Sequence, residues 1–140
     1  MTEMIDVNVW LSRWPFRRLP LDETPKLIDK LRSLGFTQAW AGSFDSLLHR
    51  DVAAVNARLA DECRASNGFL IPFGVINPTL PDWEEDLRRC HEVHHMPGVR
   101  LVPNYNAYKL DDPAILKLFD LCTRRNLLIQ IVASMEDERT

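Results

Sequence analysis

Residues 91–95 read His-Glu-Val-His-His, the H-E-x-x-H spacing in which two imidazoles one helical turn apart hold zinc and the glutamate polarises a water. Three features weigh against that chemistry. The apolar stripe of the segment runs through Trp83, Leu87, Cys90 and His94, which leaves His91 and His95 on its flank. Pro97 cuts the helix, and no convincing third ligand follows. Adventitious metal binding is the reading these features favour over a catalytic zinc. A second cluster, Arg13-Trp14-Pro15-Phe16-Arg17-Arg18, mixes cations with aromatics. It reads as an anion-binding lip or a stacking surface for a flat substrate. The alternative, which arginine stems commonly adopt, is a loop whose aromatics pack down while the guanidinium groups stay solvated. Gly42-Ser43-Phe44-Asp45 offers a serine but no base placed by a motif, so it reads as the turn that starts a helix. None of the five glycines builds a phosphate loop.

These groups need elements to hold them, and 140 residues allow one compact α/β domain spanning 1–140. Hydrophobic residues make up 46% and charged residues 26%, an ordinary globular balance. With 17 basic against 20 acidic residues the net charge is −3, which argues against nucleic acid as a partner. There is no apolar run of about 18 residues and no charged-then-apolar leader, so no membrane partner is expected. Cys63, Cys90 and Cys122 are odd in number and far apart, which suits core thiols in a reduced, cytoplasmic protein.

Apolar runs that suit buried strands begin at Ile5, Phe36, Phe69, Val99 and Leu127, in steps of 31, 33, 30 and 28 residues. One strand and its crossover helix occupy about 30 residues, so this is the beat of a βα array. The four intervening segments read as helices. Thr24-Pro25 caps the first and Gly35 stops it; Val52, Val55, Leu59 and Cys63 stripe the second, which ends at Asn67-Gly68. Pro81-Asp82 opens the third, and Asp112-Pro113 caps the fourth, which ends at Asn126. Strands separated by helices run parallel. Five of them suit either a small doubly wound, flavodoxin-like sheet or part of an eight-stranded barrel. A doubly wound domain would add a fifth helix after the last strand, and only about six residues follow it, through 136–140.

Five stretches go further: 5–19 (Ile-Asp-Val-Asn-Val-Trp onward), 75–87 (Val-Ile-Asn-Pro-Thr-Leu-Pro-Asp-Trp onward), 97–105 (Pro-Gly-Val-Arg-Leu-Val-Pro-Asn-Tyr), Leu-Asp-Asp-Pro at 110–113 and Arg-Asn-Leu-Leu-Ile-Gln-Ile at 125–131. In order and spacing they resemble the N-terminal half of the amidohydrolase-related (amidohydrolase 2) family of metal-dependent hydrolases. The resemblance implies a partial (β/α)8 TIM barrel of about five parallel strands and four helices. It also implies a divalent metal of the zinc type, held in that family by a His-x-His pair on the first strand and a histidine on the fifth. The matching positions here are Asn8, Trp10 and Val132, and further ligands would fall beyond Thr140. No metal ligand is therefore assignable in this chain, and no cofactor with it.

On a barrel, inward-facing polar residues near the C-terminal strand ends face the substrate. Alternation puts Asp6, Asn8 and Trp10 on one face, Arg100, Val102 and Asn104 on another, and Gln130, Val132 and Ser134 on a third. Asn8, Trp10, Ser43, Asn77, Arg100, Asn104 and Ser134 thus form a candidate substrate-facing ring, against the plainer reading of satisfied core and rim groups. Arg100 suits a carboxylate or phosphate, or a pairing with Asp6. The expected parent hydrolyses or decarboxylates a small carboxylate- or amide-bearing molecule, and this chain is an inactive fragment of it. The alternative is a complete, non-catalytic α/β binding or interaction domain. A half-barrel leaves two strand edges open, so self-association or pairing with the missing half is expected.

Overall fold

The computed structural model describes residues 2–134; the closing run 136–140 lies outside them. Five strands alternate with helices: β1 (Ile5–Leu11), β2 (Gln38–Ser43), β3 (Leu70–Val75), β4 (Gly98–Leu101) and β5 (Leu128–Ile131). The helices are α1 (Thr24–Ser33), α2 (Val52–Arg64), α3 (Trp83–Arg88), a one-turn α4 (Pro103–Asn106) and α5 (Pro113–Arg124). All neighbouring strands pair in parallel, in the order β1-β2-β3-β4-β5, and curl into half of a barrel. This order corrects the flavodoxin-like alternative. A doubly wound sheet of that type inserts β1 between β2 and β3, whereas here β1 is at an edge and each helix returns the chain to the next strand over.

Local chemistry sets the boundaries. Pro25 and Pro113 lie in the first turns of α1 and α5, where a missing N–H costs nothing. The Asp51 and Asp112 side chains accept hydrogen bonds from the Ala54 and Ala114 N–H groups and cap α2 and α5. Thr24, expected as the cap of α1, is already helical; Glu23 precedes it without a side-chain cap, and Thr24 Oγ1 donates to Glu62 instead. After α2, Asn67 (φ 54°) and Gly68 (φ 89°) take the left-handed conformation that reverses the chain into β3.

The third helix departs from the expected regular continuation to Pro97. After Arg88 it widens into a π-turn, Arg89–Val93, in which the His94 N–H reaches back to the Arg89 carbonyl. Met96 N–H then bonds the Cys90 carbonyl, and His95 between them is left-handed (φ 52°). His91 and His95 are therefore not one regular helical turn apart. The His91 ring meets Arg125 instead, with Nδ1 3.1 Å from Nη1.

One core lies between the sheet and the helices: Val9, Ala39, Ala41, Leu70, Val99 and Leu101 meet Leu31, Leu59, Leu87 and Leu118. Cys63, Cys90 and Cys122 are buried and free there, and burial pushes their thiols up to about 12, 12 and 11. They are neutral core groups, as expected. A second cluster at the C-terminal strand ends joins Trp14, Leu47, Val52, Val55, Val75 and Val102, with Trp10, Phe44, Tyr105 and Val132 against it.

Candidate functional site

Arg100 organises the inner face of the half-barrel. It projects from β4, is 2% exposed, and reaches the strands on both sides. Its Nε donates to Gln130 Oε1 on β5 at 2.7 Å, Nη1 to the Val9 carbonyl at 2.8 Å, and Nη2 to the Val7 and Trp40 carbonyls at 3.1 and 2.9 Å. Gln130 Nε2 donates to the same Val7 carbonyl at 3.0 Å. The guanidinium lies 4.6 Å from the Trp10 ring centre and 5.9 Å from that of Phe73. Four of five N–H donors are thus committed to neutral oxygens, and no carboxylate pairs with Arg100 among the described residues. Burial lowers its pKa to about 10, partly opposed by Asp6, so the charge persists at neutral pH.

The partners of Arg100 come from two local features. β1 shifts register between Asp6 and Val9, and the carbonyls of Val7 and Val9 turn to the guanidinium. Gly42 on β2 gives it room: a Cβ there would stand 2.7 Å from Arg100 Nη1 and 3.3 Å from the Trp10 ring. From the sequence, Gly42 reads only as part of a helix-entry turn, although a glycine inside a strand is the usual mark of a close approach. The alternative reading of Arg100, a pairing with Asp6, is absent among the described residues. Asp6 Oδ1 accepts the Asn8 N–H instead, at 3.0 Å.

Beside this cluster opens a cavity of about 500 Å3 between β1 and β5. Of the seven candidate ring residues, Asn8, Trp10, Arg100 and Ser134 line it. Ser43, Asn77 and Asn104 do not. Ser43 Oγ is 2.9 Å from Ser12 Oγ and accepts the Asp45 N–H at a short helical turn. Asn77 Oδ1 accepts the Thr79 N–H and hydroxyl in its own turn. Alternation predicts Asn104 on the face of Arg100 and Val102, but the chain turns into α4 at Pro103, and its amide donates to the Ala133 carbonyl at 3.0 Å. Gln130 and Val132, on the face expected for β5, also line the cavity. The aromatic and basic loop packs Trp14 down and sets one of its arginines at the cavity. Trp14 is buried edge-on to Phe16 and Phe44, Arg18 pairs with Asp22, and Arg17 lines the cavity.

The divalent metal implied by the resemblance does not fit the residues at its positions. Trp10 Nε1 donates to Asn8 Oδ1 at 2.9 Å, which engages the one first-strand carbonyl suited to a cation. Trp10 itself offers an N–H and no lone pair, and Val132 is apolar. Among the described residues no group of three or more His, Cys, Asp or Glu side chains is arranged to hold a metal ion.

Comparison with known proteins places this geometry. The amidohydrolase family profile matches residues 9–140. No match was found among curated proteins. Among solved structures, the manganese-bound 5-carboxyvanillate decarboxylase of Novosphingobium aromaticivorans is similar over 82% of this chain and 35% of its own, at 19% identity and TM-score 0.66. The 2,6-dihydroxybenzoate decarboxylase of Rhizobium is similar over 99% of this chain and 52% of its own, at 12% identity and TM-score 0.70. An IDCase of Metarhizium anisopliae matches 82% of this chain and 34% of its own, at 20% identity and TM-score 0.69. These likenesses are of fold, and the chain spans between a third and about half the length of each. The profile covers nearly every residue, and the sequential parallel order of the strands agrees with it: the chain belongs to the amidohydrolase family.

Proposed function

We propose that residues 1–140 act as one α/β unit, the N-terminal half of an amidohydrolase-type barrel. Its cavity between β1 and β5 takes a small carboxylate- or amide-bearing molecule for hydrolysis or decarboxylation. The observation that carries this reading is the cavity itself, at the C-terminal ends of the strands where barrels of this class keep their sites. Asn8, Trp10, Arg100 and Ser134 are the proposed substrate-facing residues. Ser43, Asn77 and Asn104 are proposed to brace the loops around them. The fold neighbours that act as decarboxylases of aromatic acids support the substrate class. The strands that complete the barrel come from further chain or from a second copy. Three free, buried thiols accord with a reducing, cytoplasmic setting. No helix among the described residues is long and apolar enough to cross a membrane.

The engaged Asn8–Trp10 pair favours a second reading, a binding module without catalysis of its own. Saturation-transfer NMR on a panel of small carboxylates and amides tests the shared part. Binding is expected, and Trp10→Ala is expected to abolish it; a panel with no binder overturns the proposal. Release of labelled CO2 from a carboxyl-labelled binder then separates decarboxylation from binding alone.

A further inference from the structure

The cavity between β1 and β5 carries a charge imbalance. Among the described residues its lining holds two guanidinium groups, Arg17 and Arg100, and no carboxylate, in a chain whose net charge is −3. The two cations differ in kind. Arg100 is buried and fixed, its edges tied to Val7, Val9, Trp40 and Gln130 and one face covered by Trp10. Arg17 belongs to an exposed loop and makes no ion pair among the described residues. Asp6 is an acid that Arg100 feels, but it is held by the Asn8 N–H and lines a different, smaller cavity.

A buried charge without a counter-ion acts over a longer range than a paired one, because the surrounding protein screens it poorly. A divalent cation among Asn8, Trp10 and Val132 would sit next to that charge, since the Trp10 ring centre is only 4.6 Å from the guanidinium carbon. It would be repelled twice over, by the charge and by the lack of donor oxygens. An anion in the same space gains from both arginines, and low-dielectric walls focus their field into the cavity.

We propose that Arg100 takes the electrostatic place of the family's metal ion, making this cavity a metal-excluding site that binds a planar carboxylate. Arg100 supplies the fixed field from beneath Trp10. Arg17 supplies the direct N–H donors at the rim, because those of Arg100 are all but one committed. Trp10 and Trp14, which line the cavity, border the ring of the ligand. This inference deepens the proposed function and rests on it.

Isothermal titration of residues 1–140 with benzoate and with its neutral isostere benzamide, each in EDTA and again in MnCl2, tests it. Benzoate is expected to bind about tenfold more tightly than benzamide, the difference one charge-assisted contact makes. Its affinity is expected to be the same in EDTA and in Mn2+, with no stoichiometric Mn2+ heat. Arg17→Gln is expected to weaken benzoate about tenfold and benzamide distinctly less, since benzamide loses only a neutral acceptor's contact; this exposed site removes the risk of misfolding that a variant at Arg100 carries. Equal binding of the two ligands overturns the inference and leaves the proposed function standing. Benzoate binding that requires Mn2+, or a stoichiometric Mn2+ site that competes with it, overturns the inference as well. Failure of both ligands, together with every other carboxylate and amide of the panel, overturns both.

Discussion

At the residue scale, Arg100 shows how a buried charge is kept without an ion pair. Replacing it leaves the Val9 and Trp40 carbonyls and Gln130 Oε1 without this donor, while the Val7 carbonyl keeps the Gln130 amide. Each buried acceptor left bare costs about 1–3 kcal/mol, and water entering from the cavity recovers part of that. Arg100→Met is therefore expected to lower the unfolding free energy by about 3 kcal/mol, read from urea denaturation. Arg100→Lys is expected to recover little of it, because one ammonium cannot span four acceptors set around a planar fork. A loss below about 1 kcal/mol for the methionine variant would contradict the assignment. The inward direction of Arg100 was legible from strand alternation alone. Its partners were not, because they are main-chain oxygens exposed by a register shift in β1, and no side-chain pattern records where a strand slips.

The element scale decides between a motif and its chemistry. The letters of H-E-x-x-H are present, but their meaning depends on a regular i, i+4 turn that the π-turn Arg89–Val93 abolishes. Purified protein is accordingly expected to carry substoichiometric zinc by elemental analysis, with EDTA leaving its melting temperature unchanged. One zinc per chain that survives dialysis would reverse that conclusion. The helix itself was legible from its stripe, whose Trp83, Leu87 and Cys90 are buried. The π-turn was not, since an added residue leaves the earlier stripe intact and shows only in the hydrogen bonds that follow. The packing of the same helix makes a second prediction. A Cβ at Gly74 on β3 would meet Cys90 Sγ at 2.8 Å and Asn56 Oδ1 at 3.0 Å, and Asn56 cannot yield because it bonds both the N–H and the carbonyl of Val75. Gly74→Ala is expected to cost about 1–3 kcal/mol by overpacking. Adding Cys90→Ala to it should return part of that loss, so a double variant less stable than the sum of the two singles would speak against the clash.

At the scale of the whole molecule, the fold class and the 28–33-residue rhythm were legible because each βα unit is a local pattern, while sheet order is a property of the assembled chain. That order has a physical consequence. Among the described residues β1 pairs only with β2 and β5 only with β4, so each presents an unpaired side. Ile5 and Val7 on β1 and Leu128 and Ile131 on β5 are exposed beside those edges. Arg100 and Gln130 reach across the inner face to tie Val7 and so hold the curl, but they act from within and leave the outer rows of N–H and carbonyl groups open. Open, apolar strand edges recruit another strand unless charge or a bulge blocks them. The bulge of β1 spoils one edge for regular pairing, which leaves β5 as the better template. Residues 1–140 produced alone are thus expected to self-associate, with light scattering after size-exclusion chromatography giving a dimer or larger species. Ile131→Lys, which sets a charge on the β5 edge at the surface, is expected to shift the protein toward monomer, and Val7→Lys to do so less. A wild-type chain that stays monomeric at tens of micromolar would show that the strut from Arg100 to β1 suffices to close the edges by itself.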